Sequence, residues 1–576
     1  MSTSNNNSLS RRAFLQQGAA ATGVALAASK AAAAQKTSAT GTKAQYDFVI
    51  AGGGHNSMVC AAYLAKAGYK CVVLEAKPIA GGNTATEELT IPGYKHEPCA
   101  NTPAGLHRSA IKDELELEEK WGLEFAKQQE LACVQIQEDG TGIPVWTRDL
   151  DRTLAELARF SKTDAERMRK LLGELGPYQR AINTFSTAPI GYAPSVEEQL
   201  MRRQDGAIWL RRHRQSSYDF ITEHFKEPHV RTFAMYWSAM GRQPPLAAET
   251  GTNGLRYFAS VLRNGWQTLV GGTGSLPAAL TRLLEAHDCP VLTGKFVVNL
   301  VIENGRCVGV ETADGGVYRA RQAVVSTLHP NQLVQMAPAE LGETFVQAIN
   351  EYQTSSPLAL FTIHLALREA PQWQANGKSW TCVESGYLPS MENWLSHTNA
   401  CQEGRVDLDA VPVMHTLTPS LIDPSRTPDG GHTLKVETLY PYELAQGGPA
   451  RWDEIKQQVA DVMLKKLQAV APNLSGSNII GGPRVFSPLD IAGRNINNVG
   501  GSCHGGVESI SQMGEMRPVP GWASHRMPIK GLYQTGNTTH PGGGVNAMAG
   551  RNAAWVVLDD LGTTIPEVIE RSRTKT

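Results

Sequence analysis

The feature that most constrains the fold is a glycine triplet that stands between two apolar runs. Residues 46–51 are rich in Phe, Val and Ile, which is typical of a buried strand, and the glycines at 52–54 follow directly. Residues 57–67 carry Ala, Leu and Met at helical spacing, and a second apolar run at 71–74 ends at Glu75. The pattern predicts a strand, a helix and a second strand within about thirty residues.

The glycine loop reads Gly-Gly-Gly-His-Asn-Ser, which matches G-x-G-x-x-G except that Ser57 replaces the last glycine. The first glycine permits a tight turn, the second lets the backbone approach a pyrophosphate, and a small serine can take the packing role of the third. The helix N-terminus offers unpaired N–H groups to the phosphates, and Glu75 is placed to accept hydrogen bonds from ribose hydroxyls. A glycine triplet alone predicts only a turn, but this arrangement predicts a dinucleotide site.

Two further glycine-rich segments extend the pattern. Gly81 and Gly82 can bring backbone close to a second phosphate or a ribityl chain, and residues 528–554 end in another glycine loop that opens a helix. With residues 271–326 between them, these segments resemble the FAD-dependent phytoene desaturase-like oxidoreductases. Three motifs occur in the order that this family shows.

The resemblance implies a fold and a cofactor. We expect an α/β protein in which a Rossmann-type, glutathione-reductase-like FAD-binding domain is interleaved with a mixed α+β substrate domain. The resemblance implies FAD, with Val297 lending backbone groups to the adenine. No His or Cys stands in a recognised flavin-attachment motif, so we expect the FAD to be noncovalent. The predicted cofactor-binding residues are Gly52, Gly53, Gly54, Asn56, Ser57, Glu75, Gly81, Gly82, Val297, Gly536, Gly544 and Val545.

The predicted domain ranges follow from these segments. Residues 45–148, 263–332 and 476–576 are assigned to the FAD-binding domain, and 149–262 and 333–475 to the substrate domain. The region from 289 to 325 alternates short apolar runs with Gly and Asp-Gly turns, which predicts a β-meander. Residues 149–262 are predicted to be mostly helical, and 333–475 to mix strands with a helix at 452–470.

Several functions are disfavoured by what the sequence lacks. A second glycine segment at 269–283 is followed by a strand with no acid to bind a ribose, and no CxxxxC pair occurs, which argues against an NAD(P)H site and a disulfide reductase. The nine cysteines show no zinc spacing, so no metal site is predicted. In an oxidising compartment Cys382 and Cys401 are candidates for a disulfide. A net charge of −1 gives no attraction to nucleic acid.

The N-terminus predicts export. Arg11 and Arg12 are followed by Phe14 and Leu15, an alanine-rich stretch and small residues at 32–34, the plan of a twin-arginine signal. We predict a signal peptide at 1–34, a linker at 35–44, and a periplasmic protein that is exported folded with its flavin. Soluble nicotinamide is scarce outside the cytoplasm, so the expected electron acceptor is a quinone, a redox protein or oxygen.

Two segments bear on the substrate. Six apolar side chains cluster at 220–240, where ordinary helix core is the simpler interpretation and the lining of an apolar tunnel is the alternative. They are Phe220, Phe225, Phe233, Tyr236, Trp237 and Met240. The stretch 209–215 packs basic residues beside a tryptophan. A solvated basic face is the simpler interpretation, and contact with an anionic bilayer is the alternative.

The predicted function is an FAD-dependent dehydrogenase or desaturase that acts on an apolar isoprenoid such as a terpene or carotenoid. Hydride transfer to a flavin needs orientation and a dry site more than an acid–base pair, so no catalytic residue need stand out. His504 and His540 are the candidates nearest the flavin segments. The acid that the family shows after His504 is absent from residues 508–513, which weighs against a proton relay. The alternatives are an amine or alcohol oxidase, and a flavin-binding partner subunit of a heteromeric dehydrogenase.

Overall fold

The structure, a computed structural model, describes residues 45–410, 412–428 and 430–574, so the predicted signal peptide and linker lie outside it. The strands, in chain order, are β1 (Tyr46–Ala51), β2 (Cys71–Leu74), β3 (Glu87–Glu88), β4 (Lys95–His96), β5 (Leu131–Gln137), β6 (Gly142–Trp146), β7 (Val291–Leu292), β8 (Val297–Glu303), β9 (Arg306–Thr312), β10 (Val317–Ser326), β11 (Ala359–Leu367), β12 (Trp373–Ala375), β13 (Lys378–Trp380), β14 (Glu384–Leu388), β15 (Met414–Leu417), β16 (His432–Tyr440), β17 (Ile479–Phe486) and β18 (Leu532–Gln534). The helices are α1 (His55–Lys66), α2 (Ala104–His107), α3 (Ile111–Glu114), α4 (Leu150–Ala158), α5 (Lys162–Ser186), α6 (Val196–Met201), α7 (Gly206–Arg214), α8 (Ser217–His224), α9 (Pro228–Ala239), α10 (Asn253–Asn264), α11 (Ser275–Ala286), α12 (Pro330–Met336), α13 (Pro338–Leu341), α14 (Glu343–Asn350), α15 (Met391–Gln402), α16 (Trp452–Val470), α17 (Pro488–Arg494), α18 (Met548–Asp560) and α19 (Ile565–Thr574).

The first sheet is the Rossmann-type sheet that the sequence predicts. Its order is β7-β2-β1-β10-β9-β8, with β18 paired to β10, and β1 runs parallel to both β2 and β10. Both faces of β1 are buried: Phe48 and Ile50 enter one hydrophobic core, Val49 and Ala51 another. A parallel strand covered on both faces needs such a continuous apolar run, and α1 supplies one cover by packing against α11 and α18. The predicted strand–helix–strand unit is confirmed.

The predicted β-meander is also present. Strands β8, β9 and β10 pair antiparallel in that order, and the far end of β10 then joins the parallel strands beside β1. The C-terminal segment contains β18, which runs parallel to β10. The helix after its glycine loop begins only at Met548, because Gly544 and the N-cap residue Ala547 take positive φ values that a right-handed helix excludes.

A second seven-stranded sheet forms the other half of the molecule, in the order β17-β11-β16-β15-β14-β5-β6. Most of its pairs are antiparallel, and β14 with β5 is parallel. The helices α4 to α10 fill the region predicted to be helical, and α16 has the bounds that were predicted. Together, the two sheets show the α/β fold with a mixed second layer.

The structure corrects the predicted domain ranges in two places. Strands β5 and β6, within the range 45–148 assigned to the FAD-binding domain, pair with β14 in the second sheet. Strand β17, within the range 476–576, likewise pairs with β11. The reason is that strand partners are chosen by register and side-chain packing, which here join segments distant in the chain.

The predicted Cys382–Cys401 disulfide is wrong in this structure. Both residues are free, buried thiols: Cys382 Sγ lies 2.9 Å from the carbonyl oxygen of Glu384, and Cys401 Sγ lies 3.4 Å from His397 Nε2. Each thiol thus has a polar partner in its own part of the core.

Among the helices of the described residues, none has the length and apolar character that crossing a bilayer requires.

Candidate active site

A cavity of about 1410 Å³ is lined by both halves of the molecule, from Leu74 at the end of β2 to Leu439 on β16. Parallel sheets of this type bind ligands at the carboxyl ends of their strands, and β1, β2 and β10 end at this cavity. The glycine loop after β1 forms part of its wall. The cavity is therefore the place to look for the predicted cofactor residues.

The first loop faces the cavity as predicted, through Gly52, Gly53, Gly54 and Asn56. Gly54 is the N-cap of α1 and has extended backbone angles, with no capping side chain among the residues that the structure describes. A Cβ atom built on Gly54 meets no described protein atom within 4 Å, so the space beside it opens into the cavity. An uncapped helix N-terminus beside open space suits a phosphate.

Ser57 is placed differently from the other predicted residues. It is fully buried, and its Oγ lies 2.6 Å from the carbonyl oxygen of Gly52 and 2.8 Å from that of Gly54. The hydroxyl thus holds the shape of the glycine loop from behind. Next to it, Asn56 Oδ1 accepts a hydrogen bond from the backbone N–H of Gly550 on α18 at 3.2 Å. These contacts position the loop while its backbone faces the ligand side.

Glu75 is buried at the end of β2 and faces the same cavity. Its carboxylate accepts hydrogen bonds from the backbone N–H groups of Gly53 at 2.9 Å and Lys77 at 2.8 Å. Burial raises its pKa, and these two donors oppose that rise. The carboxylate is thereby fixed between the phosphate loop and the position where a ribose is expected. Gly81 pairs with Gly54 as an isolated parallel bridge and, with Gly82, continues this wall.

The C-terminal segment meets the first loop across one residue. Cβ atoms added to Gly52 and to Gly536 would each come within 2.4 Å of the Thr327 side chain, and both glycines have φ near +100°. Only glycine fits at these two positions, because space and backbone angle both exclude a side chain. Gly544 and Val545 line the cavity further along the segment, and Val297 lines it from the start of β8.

These features fit FAD. The cavity collects eleven of the twelve predicted cofactor residues, Ser57 being the exception, and offers a helix N-terminus for phosphate and a buried acid for ribose. The long cavity then continues beyond the C-terminal glycines toward the second sheet. The fold and the site together define a dinucleotide-dependent flavoprotein.

The substrate side of the cavity carries a charged cluster that the sequence analysis did not predict. Arg242 Nη2 lies 2.7 Å from Glu437 Oε1, and its Nη1 lies 3.0 Å from Cys503 Sγ and 3.2 Å from His504 Nε2. His504 Nδ1 lies 3.0 Å from Glu508 Oε2. Glu508 is the first residue of 508–513, the stretch in which the sequence indicated no acid for a proton relay. That interpretation is corrected, because Glu508 is an acid within reach of His504.

Two more groups complete the cluster. Lys435 Nζ lies 3.1 Å from Glu437 Oε2, and Asn101 Nδ2 donates to the same oxygen at 2.6 Å. Burial alone would raise the pKa of Glu437, but the cations Lys435 and Arg242 lower it to about 2. Glu437 is therefore an anion that forms ion pairs with the two cations beside it.

Electrostatics within the cluster favour the ionised forms of Cys503 and His504. Burial opposes ionisation of the Cys503 thiol, but the Arg242 and His504 charges outweigh it and lower the pKa. Burial likewise disfavours the His504 cation, but Glu508 and Cys503 raise the pKa of that imidazole well above its usual range. For the Cys503 sulfur, which Arg242 Nη1 contacts at 3.0 Å, the favoured form is the thiolate.

His540, the second candidate histidine, has a structural environment. It is buried, its Nε2 lies 2.9 Å from the carbonyl oxygen of Phe185, and its ring packs edge-on against the ring of Phe185. Burial lowers its pKa to about 4, so it stays neutral near pH 7. This histidine ties α5 to the C-terminal flavin segment.

The structure also shows where the two segments that bear on the substrate lie. Of the aromatic cluster at 220–240, only Met240 lines the cavity, and the other five side chains are packed in the hydrophobic core. In the basic stretch, Arg211, Arg212 and Arg214 pair with glutamates: Glu223, Glu174 and Glu197 respectively.

Among the described residues, no group of three or more His, Cys, Asp or Glu side chains is arranged to hold a metal.

The model of the flavin containing amine oxidoreductase family matches residues 58–558, and the chain belongs to this family. It is therefore an FAD-dependent oxidoreductase. Similar proteins include the rat pyridine nucleotide-disulfide oxidoreductase domain-containing protein 2, which is 30% identical over 90% of this chain and 94% of its own length.

One subunit of the limonene dehydrogenase of Castellaniella defragrans is 27% identical over 90% of this chain and 96% of its own length. A lycopene-forming phytoene desaturase from a Paracoccus species is 23% identical over 89% and 97%. Among solved structures, a triple mutant of putrescine oxidase superposes with a TM-score of 0.60 at 14% identity, covering 90% of this chain and 99% of that one. That likeness shows the shared fold.

Proposed function

We propose that this protein is a dehydrogenase of the desaturase type that removes hydrogen from an apolar isoprenoid such as a terpene or carotenoid. The observation that carries the proposal is the apolar wall on the substrate side of the cavity, where Trp394, Val413 and Leu439 face the same space as the flavin loops. Two relatives support it by their names, one a limonene dehydrogenase subunit and the other a phytoene desaturase.

The chemistry divides between cofactor and chain. FAD, when bound, supplies the acceptor for the hydride. The chain binds the hydrocarbon, orients the C–H bond that breaks and excludes water. Affinity for such a substrate comes from apolar area removed from water, about 25 cal/mol per Å². Analogues that carry polar groups should bind more weakly, in proportion to the apolar area they fail to bury.

A second candidate is an amine or alcohol oxidase, and one residue favours it. Glu384 is fully buried and lies on the cavity wall, with its Oε1 3.9 Å from His415 Nδ1. A buried acid there is a candidate partner for an ammonium or hydroxyl group. Two further acids of the cavity, Glu437 and Glu508, are already paired with Arg242 and His504, which favours the isoprenoid. A third candidate, a flavin-binding partner subunit, draws on the word subunit in the relative's name.

Anaerobic mixing experiments test these candidates. The purified protein, mixed in a stopped-flow instrument with a terpene, a carotenoid and an amine in turn, should lose its flavin absorbance only with an isoprenoid. Bleaching by the amine alone would refute the proposal. Bleaching by none of them, with activity restored by a homologous partner protein, would favour the partner-subunit role.

The mode of FAD binding is part of the same proposal. No cysteine or histidine stands in a recognised flavin-attachment motif, so we infer that FAD is held without a covalent bond. Acid precipitation should release all of the yellow colour into the supernatant. A yellow pellet over a colourless supernatant would contradict this.

We further propose that the protein is exported folded to the periplasm and passes electrons to a quinone, a redox protein or oxygen. The support is the arginine pair Arg11-Arg12 and its flanking residues. Replacing both arginines by lysine should leave a yellow precursor in the cytoplasm, because a receptor reads the pair and charge alone is insufficient. Lys30→Arg is the matched control. Unchanged periplasmic recovery of the double variant would refute export by this route.

A further inference from the structure

Cys503 differs from every other cysteine of the chain. All nine cysteines lie in the described residues; eight are buried, and Cys503 alone is partly exposed, on the cavity wall. Its backbone carbonyl accepts hydrogen bonds from Asn83 Nδ2 at 3.3 Å and from Asn537 Nδ2 at 3.1 Å. Asn83 follows Gly82 directly, and Asn537 follows Gly536. Cys503 is therefore held between the two flavin loops, where substrate and cofactor must meet.

The Cys503 sulfur lies next to a buried cation, because Arg242 Nη1 is 3.0 Å from it. The other cations of the cluster are Lys435 and Arg517, and its carboxylates are Glu437 and Glu508. Three cations against two carboxylates leave one positive charge in a largely buried place, and a thiolate offsets it. Buried charges without partners are costly, so the geometry itself favours the ionised sulfur.

The backbone of Arg242, the residue that contacts the Cys503 sulfur, has an unfavourable conformation. Its φ is 55°, in the left-handed region that non-glycine residues rarely occupy. Such a conformation is strained, and it persists where the surrounding structure requires it. Here it lets the two Nη atoms of Arg242 contact Cys503 and Glu437 from one position. Arg242 is thus a positioning residue for the sulfur.

We propose that Cys503 is the base of the reaction and takes, as a thiolate, the proton that the substrate loses when its double bond forms. This inference rests on the proposed dehydrogenase function. Two C–H bonds on adjacent carbons break. The first carbon loses its hydrogen as hydride, with the electron pair of that bond, and bound FAD would supply the acceptor. The other gives its proton to the Cys503 sulfur, and its electron pair becomes the second bond of the C=C. The thiol then loses the proton to solvent, and atoms and electrons balance.

A thiolate suffices because hydride loss comes first. An ordinary hydrocarbon C–H bond is far too weak an acid for a thiolate, but a carbon next to the positive charge that hydride loss creates releases its proton readily. The nearby carboxylates of Glu437 and Glu508 are paired with cations, which lower the pKa of each to about 2 and make both weak bases. The lowered pKa of the Cys503 thiol stays well above theirs, so its sulfur is the stronger base.

The pH dependence follows from the groups that face this sulfur. Burial and Glu437 raise the pKa of the thiol, while Arg242 and His504 lower it by more. Cys99 lies close by, and the charge of Cys503 raises the pKa of Cys99. Arg517 and Tyr257 face Glu508 at the far side of the cluster. A base works only when deprotonated, so the rate should fall as pH drops through the lowered thiol pKa. The reaction should stay fast at neutral pH, where an ordinary thiol would be mostly protonated.

The first experiment reads the thiol without turnover. Iodoacetamide is applied to the FAD-loaded protein across pH, and each cysteine is followed by peptide mass spectrometry. Cys503 should be alkylated with a midpoint near neutral pH, below the ordinary value of about 8.5. The seven buried cysteines that do not line the cavity serve as internal controls and should react only after denaturation, and Cys99, which also lines it, is followed separately. Arg242→Gln should move the midpoint upward, and His504→Gln serves if that variant does not fold. A midpoint at or above the ordinary value overturns the thiolate.

The second experiment measures flavin bleaching by the isoprenoid under anaerobic conditions. Cys503→Ala and Cys503→Ser should each slow bleaching about 100-fold or more, with little change in substrate affinity, and lose the acidic limb of the pH profile. Cys307→Ala, whose sulfur is buried on β9 away from the cavity, is the control. Wild-type rates in Cys503→Ala refute the base. If no isoprenoid bleaches the wild type, the proposed function fails and the base with it, while the alkylation result still reports the thiolate.

Discussion

The FAD side and the substrate side of the cavity are built in different ways. On the FAD side the wall is backbone at glycine loops, each of them one short stretch of sequence, and Gly52, Gly54 and Gly536 belong to these loops. On the substrate side the contacts come from side chains on distant segments, of which Arg242, Glu437 and Cys503 are three. A backbone site leaves a local sequence signature, whereas a side-chain site assembled across the chain leaves none.

The largest expected effect tests the backbone side. Gly54→Val should abolish flavin binding while the protein still folds, because Gly54 has an extended φ that valine accepts and its Cβ meets no described protein atom within 4 Å. The added side chain would occupy the space of the pyrophosphate. Flavin per protein after purification, with circular dichroism for folding, is the measurement. Gly476→Val, at an exposed and equally open glycine, should keep its flavin. A yellow Gly54→Val protein would contradict the assigned phosphate site.

The next effect concerns the aromatic cluster of the substrate side. Trp237 is buried against Phe233, Tyr236 and Phe258 and does not line the cavity. Trp237→Ala should therefore lower the free energy of unfolding by about 3–5 kcal/mol, measured by urea denaturation. Ile208→Ala, at an exposed side chain, should change it by less than about 0.5 kcal/mol. If Trp237→Ala caused little destabilisation and a loss of substrate affinity, the cluster would instead line an apolar tunnel.

The sequence predicted the parts of the fold that depend on local pattern. The strand–helix–strand unit, the meander of β8 to β10 and the bounds of α16 all follow from periodicity and turn residues. The membership of β5, β6 and β17 in the second sheet does not, because their partners are far away in the chain. Pairing of this kind is decided by tertiary packing, which one sequence does not display.

The same contrast between local pattern and tertiary packing applies to the candidate site. Glycine and acid spacing pointed to residues that the structure gathers round one cavity, yet Ser57 supports the loop from behind, with its hydroxyl bonded to loop carbonyls. The Arg242–Cys503 contact spans two segments without a motif. One signal was available: His504 and Glu508 stand four residues apart in a glycine-rich loop beside the flavin segment. An isolated acid at that spacing is common, so it carried little weight.

A smaller effect should come from the acid of the FAD side. Glu75→Ala removes the acceptor that holds the N–H groups of Gly53 and Lys77, and with it the proposed ribose contact. Charged hydrogen bonds contribute about 1.5–3 kcal/mol, so FAD affinity should fall about 10- to 100-fold while binding persists. Titration of the flavin-free protein with FAD measures this. Glu75→Gln should lose less, because its amide oxygen still accepts one bond. Equal loss in both variants would mean that the charge alone matters.

The smallest effect is expected at the basic stretch of α7, where the substrate side meets solvent. Arg211 and Arg214 are exposed and paired with Glu223 and Glu197, so their charges are largely compensated. Replacing both by glutamine should leave binding to anionic lipid vesicles unchanged in a flotation assay. If these residues rested on a bilayer, losing two of them would weaken vesicle binding about 30-fold. Lys465→Gln with Lys466→Gln, on the exposed face of α16, removes the same charge elsewhere and separates a local contact from a general change in net charge. A loss confined to the α7 variant would establish the bilayer contact and make the substrate side of the cavity the one that faces the lipid.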